Sequence, residues 1–423
     1  MKKKKWLGIA MTAVLAIGSL AACSNDEKTT GSSSGKGDSS TITFWAPFSG
    51  PDGPRMKSIV EDYNKSQSEY KVDFQIVPQS DYYKTVDLSF SGQKNGPDVM
   101  IMHRDQLPTY VEKKLVKDVT ETAEKAGVKE ENYAETAWEG GQIDGKQYGI
   151  PLDIHPLVFY YNKDLFKQAG LDPEKPPTNR EEFLDAAKKL TDSSKNQYGF
   201  VVPTLWPNQF IYPTVLFQNG GELLKDGKPN YNSPEGVEAL TFLSDLVKKE
   251  KVSPANVQQD GEVTLFLQGK NAMHLNGPWM MEQWDKAKLN YGVAPVPQLG
   301  TKQQAVYANA HNFVIPASVK DEKKLDATTD FLKYVAENTM EWAKSGQAPA
   351  SKAVYESAEF QKMKQQPQVA KQFEYAKFAP TVSNWGQISE PLWQEVNLAL
   401  LGKKDPQKAL DDATKKAEQL ANK

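Results

Sequence analysis

Cysteine is almost absent from this chain, whose 423 residues include only Cys23. A single thiol cannot form a disulfide within the chain or build a cysteine-rich zinc centre. Histidine is also scarce, and no two histidines lie four residues apart or in an HExxH pattern. The four positions are His103, His155, His274 and His311. The sequence therefore predicts no metal centre and no cofactor.

The chain also has no excess of basic over acidic residues. Lysine and arginine total 51 against 54 aspartate and glutamate residues, which gives a formal net charge of −3. Binding to nucleic acid requires a basic face, so we expect no nucleic-acid partner. Beyond residues 7–20 there is no long apolar run, and we expect no further membrane span.

The N-terminal segment has the pattern of a lipoprotein signal. Four lysines at 2–5 precede the apolar stretch 7–20, which is too short for a hydrocarbon core of about 30 Å. Ala21 and Ala22 follow, and then Cys23, which we expect to become the lipidated N-terminus. A secretory signal with an incidental cysteine and an uncleaved anchor are the alternatives. Removal of residues 1–22 takes four lysines and no acid, so the net charge falls from −3 to −7.

The residues after Cys23 are rich in serine, glycine and threonine, and none of residues 24–40 is a large apolar residue. Such a segment cannot bury enough surface to order itself, so we expect a flexible linker. The predicted location of the remaining chain is the extracytoplasmic face of the cell membrane, where lipid on Cys23 tethers it.

The remaining chain has the pattern of two α/β bodies. Apolar strands and amphipathic helices alternate from residue 40 to residue 102, which predicts a lobe with a largely parallel sheet. Two extended segments with prolines, 148–161 and 291–297, look like connectors between bodies rather than central strands. Ligands of such sheets bind beyond the carboxyl ends of the strands.

Several short motifs occur in an order that identifies a family. They are GPDV at 96–99, VFYYNKDLF at 158–166, AGL at 169–171, FLQGKNAM at 266–273 and NGPW at 276–279. With them, the chain resembles the extracellular solute-binding proteins of ABC importers, in the carbohydrate-binding family that includes maltose-binding protein. The resemblance implies an α/β fold of the type II periplasmic-binding-protein kind, in which hinge strands join two α/β lobes around a ligand cleft.

The resemblance also implies boundaries and partners. The expected segments are a signal peptide at 1–22, the lipidated cysteine and linker at 23–40, lobe 1 at 41–150, a hinge connector at 151–157, lobe 2 at 158–292, the return crossing with the second part of lobe 1 at 293–348, and the helical end of lobe 2 at 349–423. The expected partners are a carbohydrate ligand, permease subunits and, through them, a cytoplasmic ATPase. The binding protein itself is expected to be a monomer and not an enzyme.

Sugar binding requires aromatic platforms for the C–H faces and planar polar groups for the hydroxyl rim. Residues of these types at predicted strand ends, connectors and loops are the candidates, and for each the alternative is a structural role. They are Trp45, His103, Arg104, Asp105, Asp153, His155, Trp206, Asn276, Trp279, Asn309, His311 and Trp385. By contrast, Trp284 is expected to be a packing residue, and Trp393 is expected to pack its helix. Burial is also expected for Tyr82 and Tyr83, and the alternative is that one of them reaches the cleft.

We therefore predict a membrane-tethered binding protein that captures a mono- or oligosaccharide. The same fold with a polyamine or another small solute is one alternative. A surface glycoside hydrolase with two carboxylates is another, although a barrel hydrolase would show repeated βα units without the two proline segments.

Overall fold

Two β-sheets organise the residues that the computed structural model describes, which are 40–48, 50, 52–92 and 95–421. The predicted signal peptide, the lipidation site Cys23 and the linker up to residue 39 lie outside the described residues. Their expected roles stay predictions.

The strands of the described part are Thr41–Ala46 (β1), Lys71–Ile76 (β2), Val99–His103 (β3), Gln142–Ile143 (β4), Lys146–Gln147 (β5), Ile150–Pro156 (β6), Val158–Asn162 (β7), Tyr198–Phe200 (β8), Leu224–Lys225 (β9), Lys228–Pro229 (β10), Asn271–Asn276 (β11), Tyr291–Ala294 (β12), Val306–Val314 (β13), Ala348–Pro349 (β14) and Ala376–Lys377 (β15).

The α-helices of the same residues are Asp52–Ser66 (α1), Tyr82–Phe90 (α2), Leu107–Glu112 (α3), Thr120–Lys125 (α4), Glu135–Glu139 (α5), Lys163–Gln168 (α6), Arg180–Leu190 (α7), Asn208–Gln218 (α8), Pro234–Lys248 (α9), Gly261–Leu267 (α10), Met281–Lys286 (α11), Glu322–Glu337 (α12), Met340–Ala343 (α13), Lys352–Tyr355 (α14), Ala358–Gln361 (α15), Gln366–Ala370 (α16), Trp385–Leu400 (α17) and Pro406–Ala421 (α18). Among these described helices, none has both the length and the apolar character that crossing a bilayer requires.

The first sheet has the order β14-β6-β13-β3-β1-β2, with β15 also paired to β13. Strand β1 is parallel to β2 and β3, which confirms the β-α-β-α-β lobe predicted for the start of the chain. Helix α1 buries Met56, Ile59, Val60 and Tyr63, the face that its helical period indicated. Strand β13 runs antiparallel to β3 and β6 and so joins a late segment of the chain to the first lobe.

The second sheet has the order β12-β7-β11-β8. Its central strand β7 is buried along its whole length and pairs antiparallel with β11 and β12. Asn162 ends this strand and caps α6, because its Oδ1 accepts hydrogen bonds of 3.0 Å from the backbone N–H groups of Asp164 and Leu165. The YNKDL part of the family motif is therefore a strand end followed by a helix cap.

The chain crosses between the sheets at Leu157, which separates β6 in the first sheet from β7 in the second. The prediction that 148–161 is not a central strand is wrong, since β6 lies between β13 and β14. The two prolines are tolerated because β14 pairs only with Asp153 and Ile154, so that Pro151 and Pro156 face no partner strand on that side.

The return crossing lies later than the sequence suggested. Residues 291–294 form β12 in the second sheet, and the next strand of the first sheet, β13, begins at Val306. The crossing therefore occupies residues 295–305. Gln218 at the end of α8 holds this segment, donating from Nε2 to the carbonyls of Pro297 and Ala305 and accepting at Oε1 from the N–H groups of Leu299 and Gly300.

Candidate functional site

A cleft of about 580 Å³ is lined by residues from both sheets. The first sheet contributes residues at the end of β3 and within β6 and β13, and the second contributes loops that follow β8 and β11. Eight of the twelve residues predicted for the site line this cleft. They are His103, Asp105, His155, Trp206, Trp279, Asn309, His311 and Trp385. That they bind a ligand stays a prediction.

One side of the cleft is aromatic. The indoles of Trp206 and Trp279 are nearly parallel, at 22°, with ring centroids 6.1 Å apart. Phe210 stands edge-on to both, with centroids 5.2 Å from Trp206 and 6.2 Å from Trp279. Trp206 and Trp279 are only partly buried, so the pair presents apolar ring surface to the cleft.

The turn before Trp279 depends on a glycine. A Cβ added to Gly277 would lie 2.0 Å from Cη2 of the Trp279 indole. The backbone of this turn is fixed, because the Gly277 carbonyl accepts a 2.7 Å hydrogen bond from the Tyr160 hydroxyl and its N–H donates to Asn276 Oδ1 at 2.8 Å. The NGPW motif therefore lays the indole directly against backbone that has no side chain.

Hydrogen-bonding groups from β3 and β13 also line the cleft. Asp105 accepts a 2.9 Å hydrogen bond from Asn309 Nδ2 at Oδ1 and a 3.1 Å hydrogen bond from Gln106 Nε2 at Oδ2. Asn309 Oδ1 in turn accepts from the N–H of Ala310. The carboxylate and the amide are thus held in fixed orientations at the cleft wall, as preorganised recognition of hydroxyl groups requires.

Three histidines of the cleft lie close together, and two of them bind one buried carboxylate. Asp153 is fully buried and accepts from His155 Nδ1 at 2.9 Å, from His311 Nδ1 at 2.8 Å and from Trp342 Nε1 at 2.8 Å. The third histidine, His103, pairs its Nδ1 with the Tyr83 hydroxyl at 2.7 Å. The low count and wide spacing of histidines had predicted no metal centre. Strand pairing nevertheless brings one ring nitrogen of each to within 4.8 Å of the others.

Burial opposes the charged form of each group in this cluster, but it sets the direction of the pKa shift only for the histidines. It raises the pKa of Asp153, but the charge of His311 and the hydrogen bonds from both histidines outweigh it, and the net pKa lies below the ordinary value. Burial lowers the pKa of His155, and it lowers that of His103 well below the ordinary value with help from the neighbouring histidines. Burial raises the pKa of Asp52, which also lines the cleft.

Four predicted residues do not line the cleft. Trp45 lies on the face of β1 opposite Phe44, in a separate apolar cluster, and its Nε1 donates to Gln75. Arg104 turns away to the Ala379 carbonyl, with its guanidinium 4.5 Å from the centroid of the Phe378 ring. Asp153 is buried behind the histidines to which it is hydrogen-bonded. Asn276 is buried in the turn after β11, where its Oδ1 accepts from the N–H of Gly277.

The structure also places unpredicted residues at the cleft. Gln347 is fully buried there, and among the described residues neither its Oε1 nor its Nε2 has a hydrogen-bond partner. Trp393 lines the cleft although packing was expected for it, and Tyr83 lines it as the less favoured alternative for that residue had it. The aromatic residues are visible candidates in the sequence, whereas nothing in the local pattern around Gln347 marks it.

Comparison with known proteins agrees with this architecture. The family model of the bacterial extracellular solute-binding proteins matches residues 58–370. The galactooligosaccharide-binding protein of Bacillus subtilis (strain 168) is 26% identical over 430 residues, which cover 99% of this chain and 97% of that protein. The sn-glycerol-3-phosphate-binding periplasmic protein of Escherichia coli (strain K12) is 27% identical over 412 residues, which cover 90% and 92%.

A solved structure is also similar over most of the chain. It is an ABC substrate-binding protein from Listeria monocytogenes in complex with cycloalternan, with a TM-score of 0.79 and 26% identity. The match covers 90% of this chain and 99% of that chain. This likeness confirms the predicted type II periplasmic-binding-protein fold.

Proposed function

This chain belongs to the family of bacterial extracellular solute-binding proteins, and we propose that it captures an oligosaccharide in the cleft between its two sheets. The observation that carries the proposal is the cleft itself, which the nearly parallel indoles of Trp206 and Trp279 line together with the fixed polar groups of Asp105 and Asn309. Pyranose rings present flat C–H faces and a hydroxyl rim, which match these two kinds of surface.

The names of similar proteins support a saccharide ligand. A relative in Bacillus subtilis is a galactooligosaccharide-binding protein, and a structure with the same fold was solved with cycloalternan. A cleft of about 580 Å³ falls in the usual range for small-molecule sites. Gln347 adds a buried donor and acceptor that a sugar hydroxyl could satisfy, since none of the described residues does so.

We further propose that the protein is a lipoprotein anchored through Cys23 and delivers its ligand to the permease of an ABC importer. The LAAC sequence at 20–23 and the polar segment after it support the anchor. Replacing Cys23 by serine should move the protein from the membrane fraction to the medium or periplasmic fraction. Retention of the Cys23→Ser protein in the membrane would contradict the lipid anchor.

A thermal-shift screen tests the ligand class. The full chain in detergent is mixed with gluco- and galacto-oligosaccharides, monosaccharides, polyamines and sn-glycerol 3-phosphate. A ligand at 100 times its Kd stabilises the folded state by about 2.7 kcal/mol, which raises Tm by a few degrees. We expect the shift with one oligosaccharide series.

Two results would redirect the proposal. A shift with glycerol phosphate alone would assign this chain the ligand named for its Escherichia coli relative. A shift with polyamines alone would keep the fold and replace the saccharide. Hydrolysis of an oligosaccharide during the assay, seen by chromatography, would contradict a purely binding function.

A further inference from the structure

Three imidazoles lie close together in the cleft although they come from distant parts of the chain. His103 ends β3, His155 lies in β6 and His311 lies in β13, the strand between them. His311 is paired directly with His103 on one side and with Asp153 on the other. The antiparallel ladder therefore fixes the relative positions of the three backbones.

The distances between the rings are those of a three-histidine metal site. The ring centroids are separated by 4.3 Å for His155–His311, 4.8 Å for His103–His311 and 5.9 Å for His103–His155. Three imidazoles on a tetrahedral zinc ion, with Zn–N bonds of about 2.0 Å, have centroids roughly 5 Å apart. One nitrogen of each ring already lies within 4.8 Å of the others. Tetrahedral Zn–N bonds of about 2.0 Å require the three ligand nitrogens to lie roughly 3.3 Å apart, so metal binding would draw the rings closer together.

The hydrogen bonds leave the correct nitrogen of each ring available. The Nδ1 atoms of His155 and His311 are held by the two oxygens of Asp153, and Nδ1 of His103 is held by the Tyr83 hydroxyl. The three Nε2 atoms have no hydrogen-bond partner among the described residues, and all three rings line the cleft. Metal-binding histidines commonly donate their second N–H to a carboxylate or another fixed acceptor, which sets the tautomer.

The carboxylate between two of the rings is itself firmly placed. Asp153 has no exposed surface and also accepts from Trp342 Nε1 at 2.8 Å and from the backbone N–H of His311 at 3.2 Å. A carboxylate in this position orients both rings and supplies negative charge beside a cation.

We propose that His103, His155 and His311 bind one divalent transition-metal ion through their Nε2 atoms, with the fourth coordination position open to the cleft. Zinc fits best, because three imidazoles with one open position form a common zinc geometry. Asp153 and Tyr83 act as positioning residues that hold the ligands. The proposal concerns metal binding alone and does not depend on the identity of the organic ligand.

The test is a zinc titration of the untagged full chain in detergent after treatment with a chelator. Cys23→Ser serves as the background, so that the single thiol cannot contribute. Calorimetry should give one zinc ion per chain, and cobalt bound in its place should give the visible spectrum of a tetrahedral site. No stoichiometric binding of zinc or cobalt would overturn the proposal.

Matched variants locate the site. His103→Gln removes one ligand and should weaken zinc binding by at least 100-fold. His274→Gln is the control, because this fourth histidine is buried in the second sheet beside Asn271 and should leave zinc affinity unchanged. Equal affinity in the wild type and in His103→Gln would also overturn the proposal.

Two further variants test the positioning residues without removing a ligand. Asp153→Asn and Tyr83→Phe should each weaken zinc binding by about 10–100-fold, with one ion still bound per chain. Tyr83→Phe keeps the ring and removes only the hydroxyl that holds His103. It therefore tests the same metal ligand if His103→Gln fails to fold. Unchanged zinc affinity in both variants would contradict the positioning roles and the geometry on which the proposal rests.

Discussion

Glu262 is a buried acid whose state should control part of the stability of the protein. It lies in α10 with 1% of its surface exposed, and among the described residues neither carboxylate oxygen has a hydrogen-bond partner. Burial raises the pKa of Glu262 to about 7. The folded state therefore keeps Glu262 protonated up to about pH 7, whereas in the unfolded chain this carboxyl ionises near its ordinary pKa of 4.5.

The sign of the pH dependence follows from these two values. The raised pKa of Glu262 contributes to the free energy of unfolding. This contribution is complete below the pKa of the unfolded chain and is lost as the pH rises through about 7. Glu262→Gln keeps the shape and cannot ionise, so at pH 8 it should be more stable than the wild type, by up to about 3 kcal/mol. Thermal unfolding of both proteins at pH 5 and pH 8 checks this. A stability difference that does not grow with pH would contradict an ionisable buried Glu262.

Trp279 and Trp284 lie close in sequence but should respond differently to truncation. Trp279 lines the cleft and is partly exposed, whereas Trp284 is fully buried in the core. We expect Trp279→Ala to weaken oligosaccharide binding at least tenfold with little change in Tm. Trp284→Ala should instead cost about 3–5 kcal/mol of stability. Calorimetric titration and thermal unfolding of both variants separate the two roles, and a large loss of stability in Trp279→Ala would assign that indole to the core.

At the scale of elements, the turn after β11 makes a separate prediction. Because a Cβ on Gly277 would overlap the Trp279 indole at 2.0 Å, Gly277→Ala should displace the ring and weaken ligand binding about as much as Trp279→Ala. The double variant Gly277→Ala/Trp279→Ala should be no worse than Trp279→Ala, because both changes act on one ring. Additive losses of binding free energy would show that Gly277 acts independently of the indole.

The segment that returns the chain to the first sheet depends on Gln218. This buried side chain forms four hydrogen bonds with backbone groups between Pro297 and Ala305. Gln218→Leu leaves those groups without these partners, at about 1–3 kcal/mol for each buried group, so we expect a loss of at least 3 kcal/mol. Gln303→Leu, at an exposed position of the same segment, removes a single hydrogen bond, from its Nε2 to the Phe217 carbonyl, and should lower stability by about 1 kcal/mol or less. Denaturant unfolding measures both, and equal effects would contradict the role of Gln218.

Elements in which apolar residues repeat with a clear helical period could be predicted from the sequence. Strands whose place in the sheet depends on the length of a neighbouring strand could not. The buried face of α1 follows directly from the spacing of Met56, Ile59, Val60 and Tyr63. The prolines of β6 suggested a connector, because a proline lacks the N–H that a central strand donates. The strand tolerates them because its neighbour β14 is short and pairs with neither proline. That length cannot be read from β6 itself.

At the scale of the whole molecule, the cleft collects residues from segments that are far apart in the chain. Strand ends and loop tryptophans were visible in the sequence, so that Asp105, Trp206 and Trp279 could be selected as candidates. His103, His155 and His311 were selected one by one, but their clustering and the place of Gln347 could not be predicted, since they depend on the pairing of β3, β6 and β13 and on the position of β14. Trp45 was misplaced because strand alternation turns it to the other face from Phe44.

The two segments in which the chain passes from one sheet to the other are the places where a ligand-induced movement of the lobes would be absorbed. The sheets are joined at Leu157 and again through residues 295–305, and the cleft is lined from both sheets. In two-lobed proteins of this kind, hinge residues absorb changes in φ and ψ while the lobes move as units. A ligand that contacts both lobes stabilises the conformation in which those contacts are complete.

The most direct test of the central claim is a crystal structure of the protein with the oligosaccharide selected by the thermal-shift screen. We predict a pyranose ring against the Trp206 and Trp279 pair, with its hydroxyls bonded to Asp105, Asn309 or Gln347. An oligosaccharide bound elsewhere on the protein, or one that makes no contact with either indole, would contradict the account.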